Sequence, residues 1–264
     1  MGDDATVMTL RSRDKKPSRI AVGVARTGQL TVTTPVRSTG APVAAKTAAA
    51  GLAAAVNAAC GTPGAGACAG PPRARRGDPF PVGKPPGMLS AVDLPPITST
   101  RGPWVGTDPV RARTNYASTR CDNTQFRGRG MRHALTRTFV FPKKPLDPFG
   151  LTQSVATMKT GQARKFIDEV RNRIRRCGEA NLGTSVDTLV NRSGKDVALT
   201  VWDLDIEITD NRTLQFWMAI MRDGNAVSRV GFTPAGPMTM ARDDFTAVAE
   251  RAPERLGDLP SAQR

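Results

Sequence analysis

The four cysteines are the residues whose chemistry depends most on spacing, namely Cys60, Cys68, Cys121 and Cys177. No two of them form a C-x-x-C motif, and a single histidine, His133, accompanies them. This pattern matches no common zinc site, so the cysteines form disulfides or lie buried as reduced thiols. Cys60 and Cys68 lie at the end of a predicted helix followed by Gly61, and we expect them to close a small disulfide loop.

Nucleophilic catalysis would require groups that this sequence does not bring together. His133 is the only candidate for a triad base, and it lies in the basic segment 127–137 without a patterned nucleophile nearby. The G-x-S-x-G turn of serine hydrolases is absent from the sequence. We therefore predict that the protein is not an enzyme, that it has no catalytic residues, cofactor or metal site, and that His133 is an exposed loop residue.

An acidic row, Asp203, Asp205 and Glu207, alternates with the apolar residues of a predicted strand. Alternate residues of a strand point to the same face, so the three carboxylates are predicted to lie together. One interpretation is a solvated strand face whose charge is offset by an Arg-rich helix. The other is a groove for a cationic or polyhydroxy ligand, with Trp104 capping either that groove or the domain.

Basic residues concentrate in the middle of the chain, where residues 111–177 hold 16 Lys or Arg and four Asp or Glu. The densest patch interleaves arginines with two aromatic residues: Arg120, Arg127, Arg129, Arg132 and Arg137, with Tyr116 and Phe126. No helix-turn-helix, RNP or OB-fold pattern accompanies the patch. Binding of nucleic acid or another anionic polymer is therefore the alternative function. Outside a membrane, the same patch favours anionic surface polymers or phospholipid head groups.

Composition divides the 264-residue chain into five segments. Residues 1–16 are polar and predicted to be disordered, and 61–107 contain ten prolines, which favour an extended linker. We expect the apolar points of the linker, Ala91-Val92-Asp93-Leu94 and Trp104-Val105, to dock onto the domain that follows. That complete domain is predicted over 108–258, and a disordered tail over 259–264.

Hydrophobic periodicity predicts an α+β fold for the domain, an antiparallel sheet of about five strands with helices on one side. The predicted elements are a short helix over 111–121, strands over 136–141 and 151–158, a helix from Thr160, a three-stranded meander over 198–232 and a helix from about Thr239. No apolar run reaches the roughly 18–20 residues that span a membrane. Residues 1–16 lack the apolar core of a secretory signal, so we expect any membrane anchor to lie outside this chain.

Residues 17–60 repeat the order of the last part of the chain. The segment Arg26-Thr27-Gly28 matches Arg222-Asp223-Gly224 at an offset of 196, and the following strand and helix match without a gap. Two unrelated hairpin-plus-helix segments can also align this well. If the repeat is real, residues 17–60 are the C-terminal part of a truncated first copy of the domain.

The order of elements over residues 91–258 resembles the extracellular sensor domain of the mycobacterial serine/threonine kinase H type, which also occurs on actinobacterial lipoproteins. The matching features are Asn115 and Cys121, the strand 150–155, the helix residues Ala163, Phe166, Val170 and Cys177, and the strands 201–208 and 214–221. No single motif among them is diagnostic.

The resemblance implies a disulfide between Cys121 and Cys177 and a groove that binds an extracellular ligand without catalysis. In that family a second cysteine pair lies within the domain, whereas Cys60 and Cys68 precede it here. We expect the protein to be an extracytoplasmic sensor on the cell surface, part of a larger signalling protein or lipoprotein. Its expected ligand is a glycan, a lipid or a cell-envelope polymer rather than a nucleic acid.

Overall fold

The computed structural model describes residues 4–11, 18–72, 87–97, 103–112, 118–128, 130–141, 149–181, 183–209 and 212–260. The chain divides into two compact units, Met1–Gly77 and Asp78–Arg264. Each unit has its own antiparallel sheet and its own hydrophobic core. The boundary between the units lies inside the Pro-rich segment.

The N-terminal unit is a three-stranded antiparallel sheet with one helix. Its strands are β1 (Asp4–Arg11), β2 (Arg19–Thr27) and β3 (Leu30–Ser38), and its helix is α1 (Ala45–Ala59). The prediction of disorder over 1–16 is wrong for β1, which pairs along its whole length with β2. The reason is a weak period-2 pattern, in which Ala5 and Val7 pack against the core while Thr6 and Met8 point the other way.

Small residues on β2 let α1 lie close to this sheet. The face of β2 toward α1 consists of Ala21, Gly23 and Ala25, all buried. A Cβ atom at Gly23 would lie 3.2 Å from the Leu52 side chain and 2.9 Å from the hydroxyl of Thr34. A larger residue at position 23 would therefore push the helix away from the strand.

The C-terminal unit is built on one eight-stranded antiparallel sheet. Its strands are β4 (Val105–Gly106), β5 (Val110–Arg111), β6 (Arg132–Val140), β7 (Gly150–Thr157), β8 (Thr184–Ser193), β9 (Val197–Thr209), β10 (Arg212–Asp223) and β11 (Ala226–Thr233). The order is β4-β6-β7-β11-β10-β9-β8, with β5 beside β6. The antiparallel α+β class is confirmed, but about five strands was too few. The sequence pattern missed the two-residue strands β4 and β5 and the largely polar edge strand β8.

The two long helices of this unit, α2 (Thr160–Ala180) and α3 (Arg242–Leu256), pack on opposite faces of the sheet. The prediction of helices on one side is therefore wrong. On β10, Trp217, Ala219 and Met221 join the core beneath α3, and Phe216, Met218 and Ile220 join the core beneath α2. Central strands buried on both faces read as continuous apolar runs, and β10 has such a run.

Local predictions hold best where periodicity is strong. The structure confirms α2 and the strands β6 and β7, although the N-cap of α2 is Lys159 and not Thr160. The predicted helix over 111–121 is wrong where it can be compared, because Arg111 belongs to β5 and residues 119–122 form a turn. Residues 113–117 lie outside the described residues, as do Asp210 and Asn211, whose types between two apolar stretches predict a turn.

The C-terminal unit begins earlier and ends later than residues 108–258. Five apolar residues of the predicted linker are buried in the α3-side core: Met88, Leu89, Leu94, Ile97 and Trp104. The predicted docking of the two segments is thus confirmed for Leu94 and Trp104, whereas Val92 and Val105 are exposed. Leu259, in the predicted disordered tail, is buried in the same core. Burial of a few apolar side chains therefore fixes segments whose overall composition predicts irregular structure.

The two segments aligned as a repeat have the same strand register at their hairpins. Thr27 pairs with Leu30 across the β2–β3 hairpin, and Asp223 pairs with Ala226 across the β10–β11 hairpin, at the same offset of 196. Gly28 and Gly224 open the two turns with φ values of 60° and 55°. Each hairpin follows a further antiparallel strand, β1 or β9, and precedes a helix, α1 or α3. Both units therefore contain the same strand–strand–strand–helix arrangement.

Candidate functional site

Both predicted disulfides are present. The Cα atoms lie 5.4 Å apart for Cys60–Cys68 and 5.2 Å apart for Cys121–Cys177, within the usual range for such bridges. No cysteine is left free. Because disulfides persist in oxidising compartments, the two bridges are consistent with an extracellular protein.

The Cys121–Cys177 bridge joins a loop, residues 118–126, to the end of α2. Asp122 Oδ1 accepts hydrogen bonds from the backbone N–H of Thr119 at 2.7 Å and from its hydroxyl at 3.0 Å. The Thr119 hydroxyl in turn accepts a hydrogen bond from the N–H of Cys121 at 3.2 Å. Asn123 then takes a φ of 36°, in the left-handed region that Asn tolerates better than most residues. The loop is thus held in a tight turn by its own side chains.

A buried ion pair attaches the same loop to the sheet. Arg229 Nε on β11 donates to Asp122 Oδ2 at 2.6 Å, and the two side chains are 1% and 0% exposed. The Arg229 guanidinium also lies over the ring of Phe216, 5.4 Å from its centroid. Desolvating two charges costs free energy that only close, well-oriented contacts offset. We expect the pair to fix the position of the loop more than it adds net stability.

Between this loop and α2 lies an open cavity of about 610 Å³, which we call the disulfide pocket. Its lining is polar and includes the bridge itself: Arg120, Cys121, Asn123, Gln125, Arg127, Phe166, Glu169, Arg173, Arg176, Cys177, Ala180 and Asn181. Residues 120–127 and one side of α2, from Phe166 to the C-cap Asn181, supply these residues. Because the bridge and the ion pair both restrain the loop, the pocket is preformed.

The disulfide pocket is cationic. It contains four guanidinium groups and one carboxylate, that of Glu169, which leaves a formal charge of +3. Arg173 Nη1 donates to the carbonyl oxygen of Asp122 at 3.2 Å, and its Nη2 lies 3.8 Å from Glu169. Arg127 Nε donates to Gln125 at 2.9 Å. The C-terminal end of a helix disfavours anions, and the arginines reverse that local potential.

A second open cavity, of about 530 Å³, lies on the other side of the α2 C-terminal turns, against the edge strand β8. We call it the strand groove, and its lining is Arg171, Asn172, Arg175, Gly178, Glu179, Thr184, Ser185, Val186, Thr188, Asn191, Thr200 and Trp202. A Cβ atom at Gly178 would lie 3.2 Å from Val186, so glycine lets β8 approach the helix. Hydroxyl and amide groups dominate this lining.

Arg171 holds the wall of the strand groove in place. Its Nε donates to the Thr200 hydroxyl at 2.8 Å, its Nη1 to the Ser193 hydroxyl at 2.9 Å, and its Nη2 to the carbonyl of Arg192 at 3.0 Å. Partial burial lowers the pKa of Arg171, and nearby Asp168 opposes that shift. With its N–H groups engaged in this way, Arg171 positions two strands, and Arg175 is the more exposed cation of the groove.

The predicted acidic row lies on the α3 face, away from both cavities. Asp203 is only 3% exposed, and Arg242 Nη2, at the start of α3, lies 2.8 Å from its Oδ2. Burial raises the pKa of Asp203, and the attraction of Arg242 only partly offsets that effect. The interpretation of a solvated strand face whose charge is offset by the Arg-rich helix is therefore wrong for Asp203, because that helix, α2, packs on the other face of the sheet. Ligand contact by Asp205 and Glu207, which are half-buried, stays a prediction.

The tryptophans of the sequence are core residues. Trp104 is 2% exposed, stacks within 4.6 Å of Phe141, and donates its indole N–H to the carbonyl of Pro95 at 2.7 Å. It caps the domain and does not line a groove. Trp202 and Trp217 are 4% and 3% exposed.

His133 is exposed on β6 rather than in a loop, at an irregularity in the pairing with β7 where its φ is 50°. The described part of the chain contains no group of three or more side chains suited to a metal ion.

The predicted basic patch is divided by the fold. Arg120 and Arg127 line the disulfide pocket, whereas Arg137 donates to the backbone carbonyl of Thr107 at 2.8 Å and serves the fold. Arg132 is on β6, outside the two cavities. Phe126 is buried against Phe166, with ring centroids 5.5 Å apart. Arg129 and Tyr116 lie outside the described residues.

Sequence reasoning missed Arg173 and Arg176 as site residues. Both lie within one helical turn of Cys177, on the same side of α2. Residues three and four apart share a helix face. The predicted Cys121–Cys177 bridge could therefore have been used to predict that Arg173 and Arg176 lie beside it.

Comparison with known proteins gives no match to this chain. No family model matches the chain, and neither the curated proteins nor the solved structures give a match. Among the described residues, no helix is both long enough and apolar enough to cross a membrane.

Proposed function

We propose that the protein is a non-catalytic recognition domain that binds an anionic ligand in an extracytoplasmic compartment. The disulfide pocket supports this proposal most directly, since four arginines converge there on a cavity whose walls are fixed by a covalent bridge and a buried ion pair. Preformed sites bind with a smaller entropic cost than flexible ones. Arginine is suited to carboxylate and phosphate groups because its planar fork donates two parallel hydrogen bonds.

The resemblance to the kinase H sensor domains is in accord with this function. The Cys121–Cys177 bridge is the one that the resemblance implies, and the sheet is antiparallel with packed helices. On that basis we propose a sensor on the cell surface, within a larger signalling protein or lipoprotein. The two disulfides favour this setting over the cytoplasm.

Nucleic-acid binding is the main competing function, because it uses the same cations. Base recognition in single strands relies on exposed aromatic side chains for stacking. The two aromatic residues that line the cavities, Phe166 and Trp202, are only 8% and 4% exposed. The cavities therefore offer charge and hydrogen bonds without a stacking platform.

Calorimetric titration of the disulfide-bonded protein with hexagalacturonate, neutral maltohexaose and a single-stranded oligonucleotide would test the proposal. We expect hexagalacturonate to bind and maltohexaose not to bind. A substitution Arg176→Glu should weaken binding by about tenfold or more, because a charge-assisted hydrogen bond contributes on the order of 1.5–3 kcal/mol.

Lys165→Glu is the matched control. It makes the same charge change on an exposed position of the same helix, 11 residues earlier, which is about 16 Å along the axis and beyond the Debye length at physiological salt. Equal losses for Lys165→Glu and Arg176→Glu would show non-specific attraction and reject the pocket. Failure of hexagalacturonate, polyphosphate and anionic vesicles to bind would reject anion recognition altogether.

A further inference from the structure

The two cavities are separated only by the C-terminal turns of α2. Arg173 and Arg176 line the disulfide pocket, and Arg171 and Arg175 line the strand groove. Four cations thus lie within six consecutive residues, about 8 Å along the helix axis. Arg175 and Arg176 are neighbours in sequence, and each belongs to a different cavity.

The cavities also meet at a direct contact below the helix end. Arg120 Nη2, in the disulfide pocket, donates to the hydroxyl of Thr184, in the strand groove, at 3.0 Å. A ligand that passes over this contact would leave one cavity and enter the next.

The two linings differ in chemistry in a way that suits a chain of mixed groups. The disulfide pocket presents guanidinium donors, which match carboxylates or phosphates. The strand groove adds Asn172, Thr188 and Asn191, whose amides and hydroxyls both donate and accept hydrogen bonds. Such groups recognise neutral hydroxyls, which a lone inorganic anion lacks.

We infer that the ligand is an anionic polyhydroxy polymer, a sugar or polyol chain with carboxylate or phosphate groups, that occupies the disulfide pocket and the strand groove together. This inference rests on the proposed function and adds to it the class and the length of the ligand. Both cavities are open, so each alone encloses little of a ligand. Occupation of both by one chain makes the second contact intramolecular, which raises affinity without new residues.

A length series tests this inference. Galacturonate, trigalacturonate and hexagalacturonate are titrated into the disulfide-bonded protein and into two variants, Arg175→Gln in the strand groove and Arg176→Gln in the disulfide pocket. We expect hexagalacturonate to bind at least about tenfold more tightly than galacturonate per molecule. Arg175→Gln should weaken hexagalacturonate severalfold and leave galacturonate unchanged, whereas Arg176→Gln should weaken both.

The experiment distinguishes a failure of this inference from a failure of the proposed function. Equal affinity for galacturonate and hexagalacturonate, or no effect of Arg175→Gln on the hexamer, would overturn the two-cavity ligand and leave anion recognition standing. Tighter binding of an oligonucleotide than of hexagalacturonate would overturn the polyhydroxy assignment. Lys165→Gln serves as the matched control, and unfolding curves of all variants establish that the exposed substitutions leave the fold intact.

Discussion

Removal of the Cys121–Cys177 bridge is predicted to destabilise the C-terminal unit selectively. The perturbation is the double substitution Cys121→Ser with Cys177→Ser, which leaves no unpaired thiol. The bridge closes a loop of 56 residues, for which chain entropy predicts a loss of about 4 kcal/mol. The same estimate for the 8-residue separation of Cys60–Cys68 is about 2.5 kcal/mol, in the other unit.

The three tryptophans provide an assay that reports one unit. Trp104, Trp202 and Trp217 all lie in the C-terminal unit, so their fluorescence during urea unfolding follows that unit alone. With a denaturant slope of about 2 kcal/mol per molar urea, a loss of 4 kcal/mol moves the midpoint down by about 2 M. The matched variant, Cys60→Ser with Cys68→Ser, should leave the tryptophan transition where it is.

Ligand binding distinguishes a structural bridge from a bridge that forms the pocket. In the absence of urea, the variant without Cys121–Cys177 should lose affinity for hexagalacturonate, because the 118–126 loop then has no covalent link to α2 and is held by non-covalent contacts alone, among them the Asp122–Arg229 pair. A midpoint shift below about 0.5 M would refute the chain-entropy reasoning. Unchanged affinity in a folded variant would refute the claim that the bridge preforms the pocket.

Three further predictions concern buried charges and the two sheet faces. Arg229→Met leaves the carboxylate of Asp122 buried and unpaired, so the free energy of unfolding should fall by about 3–5 kcal/mol, measured by tryptophan fluorescence; a loss below about 1 kcal/mol would contradict this. Asp203 has a raised pKa in the folded state, so it favours folding while protonated, and its contribution is lost as pH rises from about 4 through the raised value. Asp203→Asn should therefore match or exceed the wild-type stability near pH 7, and a clear loss there would show that the contact with Arg242 outweighs desolvation. Met218→Asp should lower the free energy of unfolding by more than about 4 kcal/mol, because α2 covers that position. Val22→Asp, at the equivalent half-buried position of the N-terminal unit, should lower it by about 1 kcal/mol, measured by circular dichroism. Equal losses would contradict the difference in burial.

Sequence periodicity was informative where one element has one strong pattern. The helix predicted from Thr160 is observed as α2, Thr160–Ala180, and the segment Arg222-Asp223-Gly224 ends a strand at a hairpin, as its match with residues 26–28 implies. It failed for β8, which is largely polar, whose alternation is interrupted at a register shift between Thr188 and Val190, and which is held by pairing with β9. That pairing is a tertiary contact, and local propensity does not encode it.

The position of the candidate site was not predicted from the sequence. Anionic-polymer binding was considered from the arginine patch, yet the acidic row on β9 was given as the candidate groove. Asp203 turned inward because both faces of the sheet are covered, which the alternation around Trp202 did not reveal. The cavities instead use residues from the loop, α2, β8 and, with Thr200 and Trp202, the other face of β9, which are distant in sequence and meet only in the fold.

The candidate site lies mainly on parts of the C-terminal unit that have no counterpart in the arrangement shared by the two units. Both units share three strands and a helix with the same hairpin register, and neither cavity uses α3 or β11, the elements that match α1 and β3. The cavity residues come mainly from the 118–126 loop, α2 and β8, and no described element of the N-terminal unit corresponds to these three. If the site depended on the shared frame, two cavities of the same kind would be expected, one in each unit. Because it depends on the parts that only the second unit has, we expect the N-terminal unit to contribute no equivalent anion site. Calorimetric titration of hexagalacturonate should then give one chain bound per protein, and two equivalent sites would show that the shared frame itself binds the ligand.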